Sequence, residues 1–378
     1  DGTLTLLLSH LETRSIPTDS LIFSLLPFGT GNDLARFLGT WHLDKQAAHN
    51  VMRGGHLRDL VDLQLRGQPQ LLDVWDVVVA TDDGESEVED EGEGEGEGEG
   101  EGEGALRQKM INNLAVGAQA YVGGDFERHR TRSRVFNIAW YVAETIKWGL
   151  FRRLPPVSVA VERIEGPGEG GPVWVTVEQE KPSRWKSAHR VVKFASPASL
   201  TEDISDATSS LIATSAAAPS RLLVHQPIEL VIQNIPCLWG RLLDLWNKAQ
   251  TGSALAPMSP TYPTHGSGVV PTDPQYWNPQ SASDRKLECF VIEHRRSYIR
   301  KELALNRTDL ARVGQFREGM RLIFRTTNSD NTQSVDKIRE GDVTVRIMID
   351  GEFYEVKRPK WMEVKVWRQI TIMGPPEG

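Results

Sequence analysis

Cysteine is nearly missing: 378 residues contain two, Cys237 and Cys289. That excludes a disulfide framework and fits a reducing compartment. No apolar run approaches the roughly 20 residues a spanning helix needs. The nine histidines show no metal-ligand spacing, so no structural zinc is expected. No signal peptide is visible. The first residue is Asp1 rather than Met, so the chain reads as an excerpt. What remains is globular in composition, 39% hydrophobic and 25% charged, with length for two or three domains.

Positive charge is missing from one stretch. Between Asp82 and Glu103 stand 13 acids and no Lys or Arg, and without them the formal net charge of −8 becomes +5. This Glu-Gly run cannot bury apolar surface and is expected to be a disordered insertion, 82–104. The mildly basic remainder suits phosphate-bearing ligands or an anionic membrane surface, or is simply a mixed solvated surface.

The chain is organised around Leu26–Arg36, Leu-Pro-Phe-Gly-Thr-Gly-Asn-Asp-Leu-Ala-Arg. An apolar run from Leu21 to Leu26 predicts a short buried strand before it, and Leu34, Ala35, Phe37 and Leu38 begin a helical face after it. Asn32 and Asp33 are both good N-cap residues. A strand, a glycine turn and a helix start make an anion site, because free N–H groups and the positive end of the helix face the turn. The same pattern also serves merely to reverse the chain.

Around this turn the sequence predicts a helix after Thr3, a further helix over His42–Arg58 and a strand over Arg58–Leu65. From Gln70 the character is β. Strands are expected over Leu71–Thr81, Arg107–Gly117, Val157–Val161, Val173–Val177, Arg190–Phe194 and Arg221–Gln233. Further strands are expected over Lys286–Ile292, Met320–Arg325, Val343–Ile349 and Trp361–Met373. Loop insertions fall at 196–220 and 251–284, rich in small, polar and Pro residues. Ser133–Phe151 reads as an amphipathic helix with Phe136, Trp140, Ala143 and Leu150 on one face. Such stripes usually pack on a sheet; with the arginines at 128, 130, 132 and 134 before it, a membrane contact is the alternative.

Asp1-Gly2-Thr3, followed by Gly29-Thr30-Gly31-Asn32-Asp33-Leu34-Ala35-Arg36, resembles the catalytic domain of diacylglycerol kinases. Asn112-Asn113 with Gly117, Phe136-Asn137 with Trp140-Tyr141, Asn234-Ile235-Pro236 with Leu245-Trp246, and Ile349-Asp350-Gly351-Glu352 resemble, in order, that family's accessory domain. Gln119 stands where the family often has Asp, and Glu293–Ser297 also departs from it. The resemblance implies the C-terminal part of an α/β nucleotide-binding domain at 1–66. A larger antiparallel β-sandwich domain with helical insertions would follow at 67–373.

It further implies a lipid kinase that moves the γ-phosphate of ATP, with Mg²⁺, to the hydroxyl of diacylglycerol and gives phosphatidic acid. Such an enzyme would be cytoplasmic and peripherally associated with membranes, with no nucleic-acid partner. Asp1 and Glu352 are the catalytic candidates, as general base or as organiser of Mg²⁺, and sequence does not rank them. Gly2, Thr3, Gly29, Thr30, Gly31, Asn32 and Asp33 would hold phosphate, and the Mg²⁺ ligands stay unassigned. The basic stretches Arg128–Arg134, Arg295–Lys301 and Lys357–Lys365 are candidate membrane contacts. A sphingoid-base or ceramide kinase, or an inactive binding module of the same fold, would fit the same motifs.

Overall fold

A computed structural model of the chain describes residues 2–26, 32–38, 56–81, 105–131, 134–152, 154–166, 173–176, 220–223, 227–238, 241–242, 245–248, 278–292, 294–302, 310–325 and 344–374. The expected insertion 82–104, the strand over Arg190–Phe194, the helix over His42–Gly55 and nearly all of both long loops lie outside these residues.

In chain order the helices are α1 Gly2–Thr13, α2 Asp33–Phe37, α3 His56–Leu65, α4 Ala118–Glu127, α5 Arg134–Ile146, α6 Val157–Ala160, α7 Leu245–Lys248 and α8 Arg295–Glu302. A π-helical turn, Lys147–Phe151, continues α5. The strands are β1 Ile22–Phe23, β2 Pro69–Thr81, β3 Ala105–Met110, β4 Asn113–Gly117, β5 Val161–Glu165, β6 Val173–Thr176, β7 Ser220–Leu223 and β8 Glu229–Gln233. Then follow β9 Cys237–Leu238, β10 Arg241–Leu242, β11 Lys286–Ile292, β12 Leu310–Arg317, β13 Gly319–Phe324, β14 Thr344–Ile349, β15 Glu352–Lys357 and β16 Pro359–Met373.

Two sheets face each other. One runs β3-β2-β16-β13-β5-β6-β7, with β1 added in parallel to the end of β16; the other runs β12-β11-β8-β4-β14-β15 and is antiparallel throughout. Side chains alternate across a strand, so β11 sends Leu287, Cys289 and Val291 into the core between the sheets and Phe290 and Ile292 to the outer face. There α4, the π turn and α8 cover it through Ala118, Trp148 and Tyr298. On the other side Leu4 and Leu8 of α1 and Leu34 and Leu38, in α2 and just after it, pack on Leu72, Val74, Ile370 and Ile372. The order of layers is helix, sheet, sheet, helix, and the sandwich expected downstream is present. Within the first 66 residues the described elements are the helices α1, α2 and α3 and the short strand β1, which joins the sandwich.

Four local expectations are corrected. Arg221–Gln233 is not one strand: β7 ends at Leu223, and β8, in the other sheet, begins at Glu229. Arg58–Leu65 is helix, not strand: the Leu57, Leu60, Val61, Gln64 spacing outweighs the alternation near its end, and Arg58 pairs with Asp62 one turn on. Val157–Ala160 is one helical turn after Pro155-Pro156, and the strand begins at Val161. Arg107–Gly117 is not one strand, because Ile111-Asn112 breaks it and its halves enter different sheets.

Candidate functional site

The break at Ile111-Asn112 is where the separated motifs meet. Asp350 and Gly351 form the tip of the β14–β15 hairpin, with φ of 50° and 94°. Two positive φ values at a two-residue tip match the twist of the strands, which is why Asp-Gly suits it. The Asp350 carboxylate turns back and accepts N–H bonds from Ile111 (2.7 Å), Asn112 (2.8 Å) and Asn113 (2.9 Å). The Asp350 N–H donates to the Asn113 carbonyl at 2.9 Å. Burial pushes the Asp350 carboxyl up to about 6 although these three N–H groups favour its charge.

The Asn234-Ile235-Pro236 turn reaches the same break from the other side. The Asn234 side-chain amide donates to the carbonyls of Ile111 (2.7 Å) and Asp73 (3.1 Å), and its backbone N–H to Asn112 at 2.9 Å. Ile235 and Cys237 join Leu34 and Leu38 in one buried cluster, so α2 is seated against this turn. Burial, then the nearby Asp33, push the Cys237 thiol up to about 12, which leaves it an inert core group.

Glu352 opens β15 and is exposed. A β-carbon built on Gly2 would stand 3.7 Å from Glu352 Oε1. The start of α1 and the Asp350-Gly351-Glu352 turn, 350 residues apart, therefore share one corner. Thr3 lies beside it on α1 and is exposed. Asp1, Gly29, Thr30 and Gly31 lie outside the described residues. Asn32 is buried and left-handed (φ 55°) at the start of α2, and its side chain makes no cap bond there, unlike the N-cap expected. Among the described residues no group of three or more His, Cys, Asp or Glu could hold a metal ion. None of the described helices is long and apolar enough to cross a membrane.

Gln119 acquires a role at some remove from this corner. On α4 its Oε1 accepts from Lys301 Nζ at 2.8 Å, and the same ammonium sits 3.0 Å from Glu229 Oε1, all fully buried. Glu302 adds a second carboxylate at 3.4 Å, itself bonded by the Tyr141 hydroxyl at 3.1 Å. Burial raises Glu229 to about 7 against the pull of Lys301. A third carboxylate at 119 would crowd one cation with three anions; an amide satisfies it without charge. Sequence pattern misses this cluster, because its members come from α4, β8 and α8 with no common spacing. Asp125 was missed in the same way. Burial opposes its charge, but hydrogen bonds from Lys147, Arg346 and Trp148 hold it below its ordinary value.

No protein-family model matches the chain, and no curated protein does so. Solved structures do. The chain is similar to two structures from Bacillus anthracis str. Sterne provisionally named as a diacylglycerol kinase. Both are 12% identical, with TM-scores of 0.39 and 0.40, covering 94% of this chain and 70% and 68% of theirs. A third structure from that organism, described as a diacylglycerol kinase, is 10% identical with a TM-score of 0.35, over 94% of this chain and 67% of its own.

Proposed function

We propose that this protein is a lipid kinase that transfers the γ-phosphate of ATP to the free hydroxyl of diacylglycerol. The observation that carries the reading is the convergence at one corner of Gly2 with Glu352, beside the Asp350 latch. Phosphoryl transfer needs little covalent help from a protein; it needs held phosphates, offset charge and a proton acceptor. Gly2 brings backbone beside the Glu352 carboxylate, since a β-carbon there would stand 3.7 Å from Oε1. Mg²⁺ takes one or two protein carboxylates and completes its shell with water and phosphate; Asp1 would supply one where Glu352 serves as the base. Bound there, Mg²⁺-ATP would supply the phosphoryl group and the charge that offsets it. Glu352 accepts the proton that the lipid hydroxyl gives up as its oxygen bonds to the γ-phosphorus and the bridge to the β-phosphate breaks. Asp1 is the other candidate for that proton.

The test is transfer of labelled phosphate from ATP to diacylglycerol, with sphingosine and ceramide in parallel. Glu352→Gln is expected to lower kcat by about 100-fold or more, the usual span for a lost general base, with KM for ATP little changed. Undiminished turnover in that variant would pass the base role to Asp1. Transfer to none of these lipids would overturn the reading, and a strong preference for sphingosine would replace the substrate.

A further inference from the structure

The α5 helix sits the wrong way round for a packed helix. Phe136, Ala139, Trp140, Ala143 and Ile146 recur at helical spacing, and this stripe faces outward. Phe136 is 64% exposed, and in the following π turn Leu150 is 61% and Phe151 80% exposed. The opposite face, turned to the protein, carries Glu144, Thr145 and Tyr141. The arm before the helix is held in place: Asn137 Oδ1 accepts from the Thr131 N–H at 2.7 Å, and its amide donates to the Thr131 carbonyl at 2.7 Å. An amphipathic helix that turns its apolar stripe to solvent has the surface of an interfacial helix.

The same π turn borders a cavity of about 440 Å³. Arg128, Lys147, Arg152 and Arg346 line it, against two carboxylates, Asp125 and Glu355. Asp125 Oδ2 is 3.2 Å from Lys147 and 3.9 Å from Arg152, and its Oδ1 is 3.2 Å from Arg346. Glu355 pairs with Arg346 and with Arg128. Lys147 also meets Glu144 at 2.6 Å, outside the lining. Arg152 lies over the Trp148 ring at 5.1 Å and is more than half exposed. Four cations facing two acids leave a positive surplus in the cavity, next to Leu150 and Phe151.

We propose that α5 and the π turn dock the protein on the headgroup layer of an anionic phospholipid bilayer. The apolar stripe enters the interface and the cavity takes a lipid phosphate. Charge complementarity selects this occupant. A second copy packed here about a two-fold axis would set its own surplus cations against these, whereas anionic headgroups meet them with the opposite sign. The inference does not depend on which lipid is phosphorylated, because vesicle binding needs neither ATP nor turnover.

The test is sedimentation of the whole protein with phosphatidylcholine vesicles, with and without phosphatidic acid. Binding to the anionic vesicles is expected, weakened by salt. Leu150→Asp/Phe151→Asp should reduce it roughly tenfold or more, and Arg152→Glu by at least about fivefold. The Leu150 and Phe151 substitutions fall on exposed side chains and should leave the melting temperature unchanged. Equal sedimentation with neutral and anionic vesicles, or undiminished binding by the double variant, would overturn the proposal. So would a concentration-dependent dimer that the double variant abolishes, or calorimetric binding of inorganic phosphate with no binding to vesicles.

Discussion

Asp350 shows how one side chain can join distant parts of a chain. Its neighbours Ile349, Gly351 and Glu352 are legible in the sequence as a hairpin tip. The destination of its carboxylate, some 240 residues earlier, is not, because nothing in local pattern encodes a contact that only the closed sandwich creates. Asp350→Ala would leave three N–H donors without their acceptor. The expected cost is about 2–4 kcal/mol, read as a lower urea midpoint at unchanged slope. Asp350→Asn, which keeps one acceptor oxygen, should fall between. Equal stability of all three proteins would mean that water replaces the carboxylate without loss. Gln119 belongs at this scale too: the sequence singled it out as a departure, and only the structure supplied Lys301 as the reason.

Among elements, periodicity reported type well and placement poorly. The α5 stripe was visible, yet the expectation that it packs on a sheet is the reverse of what is seen, since a stripe does not say which medium it faces. The split of Arg107–Gly117 between two sheets was hidden because neither Gly nor Pro stands at the break at Ile111-Asn112. Arg58–Leu65 failed because its last residues satisfy a period of two as well as 3.6. The buried ion cluster joining α4, β8 and α8 allows a quantitative check. Lys301→Met leaves Glu229 buried without its cation, and about 3–5 kcal/mol of stability should be lost. Adding Glu229→Leu should recover most of it, measured by the same denaturant titration. Failure of the double variant to recover would show that the cluster fixes packing as well as charge.

For the whole molecule, the buried carboxyls give stability an unusual pH dependence. Asp350 and Glu229 are raised to about 6 and about 7 in the folded chain, above their ordinary values of 3.8 and 4.5. A group raised on folding binds its proton more tightly when folded. Its contribution is complete below the unfolded value and lost as pH climbs through the folded one. The melting temperature should therefore fall by several degrees from about pH 5 to about pH 8. Asp125, shifted the other way, acts only in more acid solution. A flat or rising melting temperature across that window would show that both carboxyls ionise without cost. The sandwich itself was legible because its strands alternate strongly; the sharing of β16 with β1 was not, because Ile22 pairs with Thr371, at the far end of the chain.

That pairing has a consequence in time. Four contacts tie residues 2–23 to β15 and β16: Gly2 at Glu352, Glu12 at Trp367, Thr18 at Arg368, and Ile22-Phe23 against Thr371-Ile372. A ribosome adding about 5–20 residues per second needs on the order of 20–70 s to pass from one set to the other. Through that interval Leu4 and Leu8 can rest on Leu72 and Val74 of β2 but not on Ile370 and Ile372 of β16. The packing beneath α1 is thus completed late, and β16 is the strand that completes it.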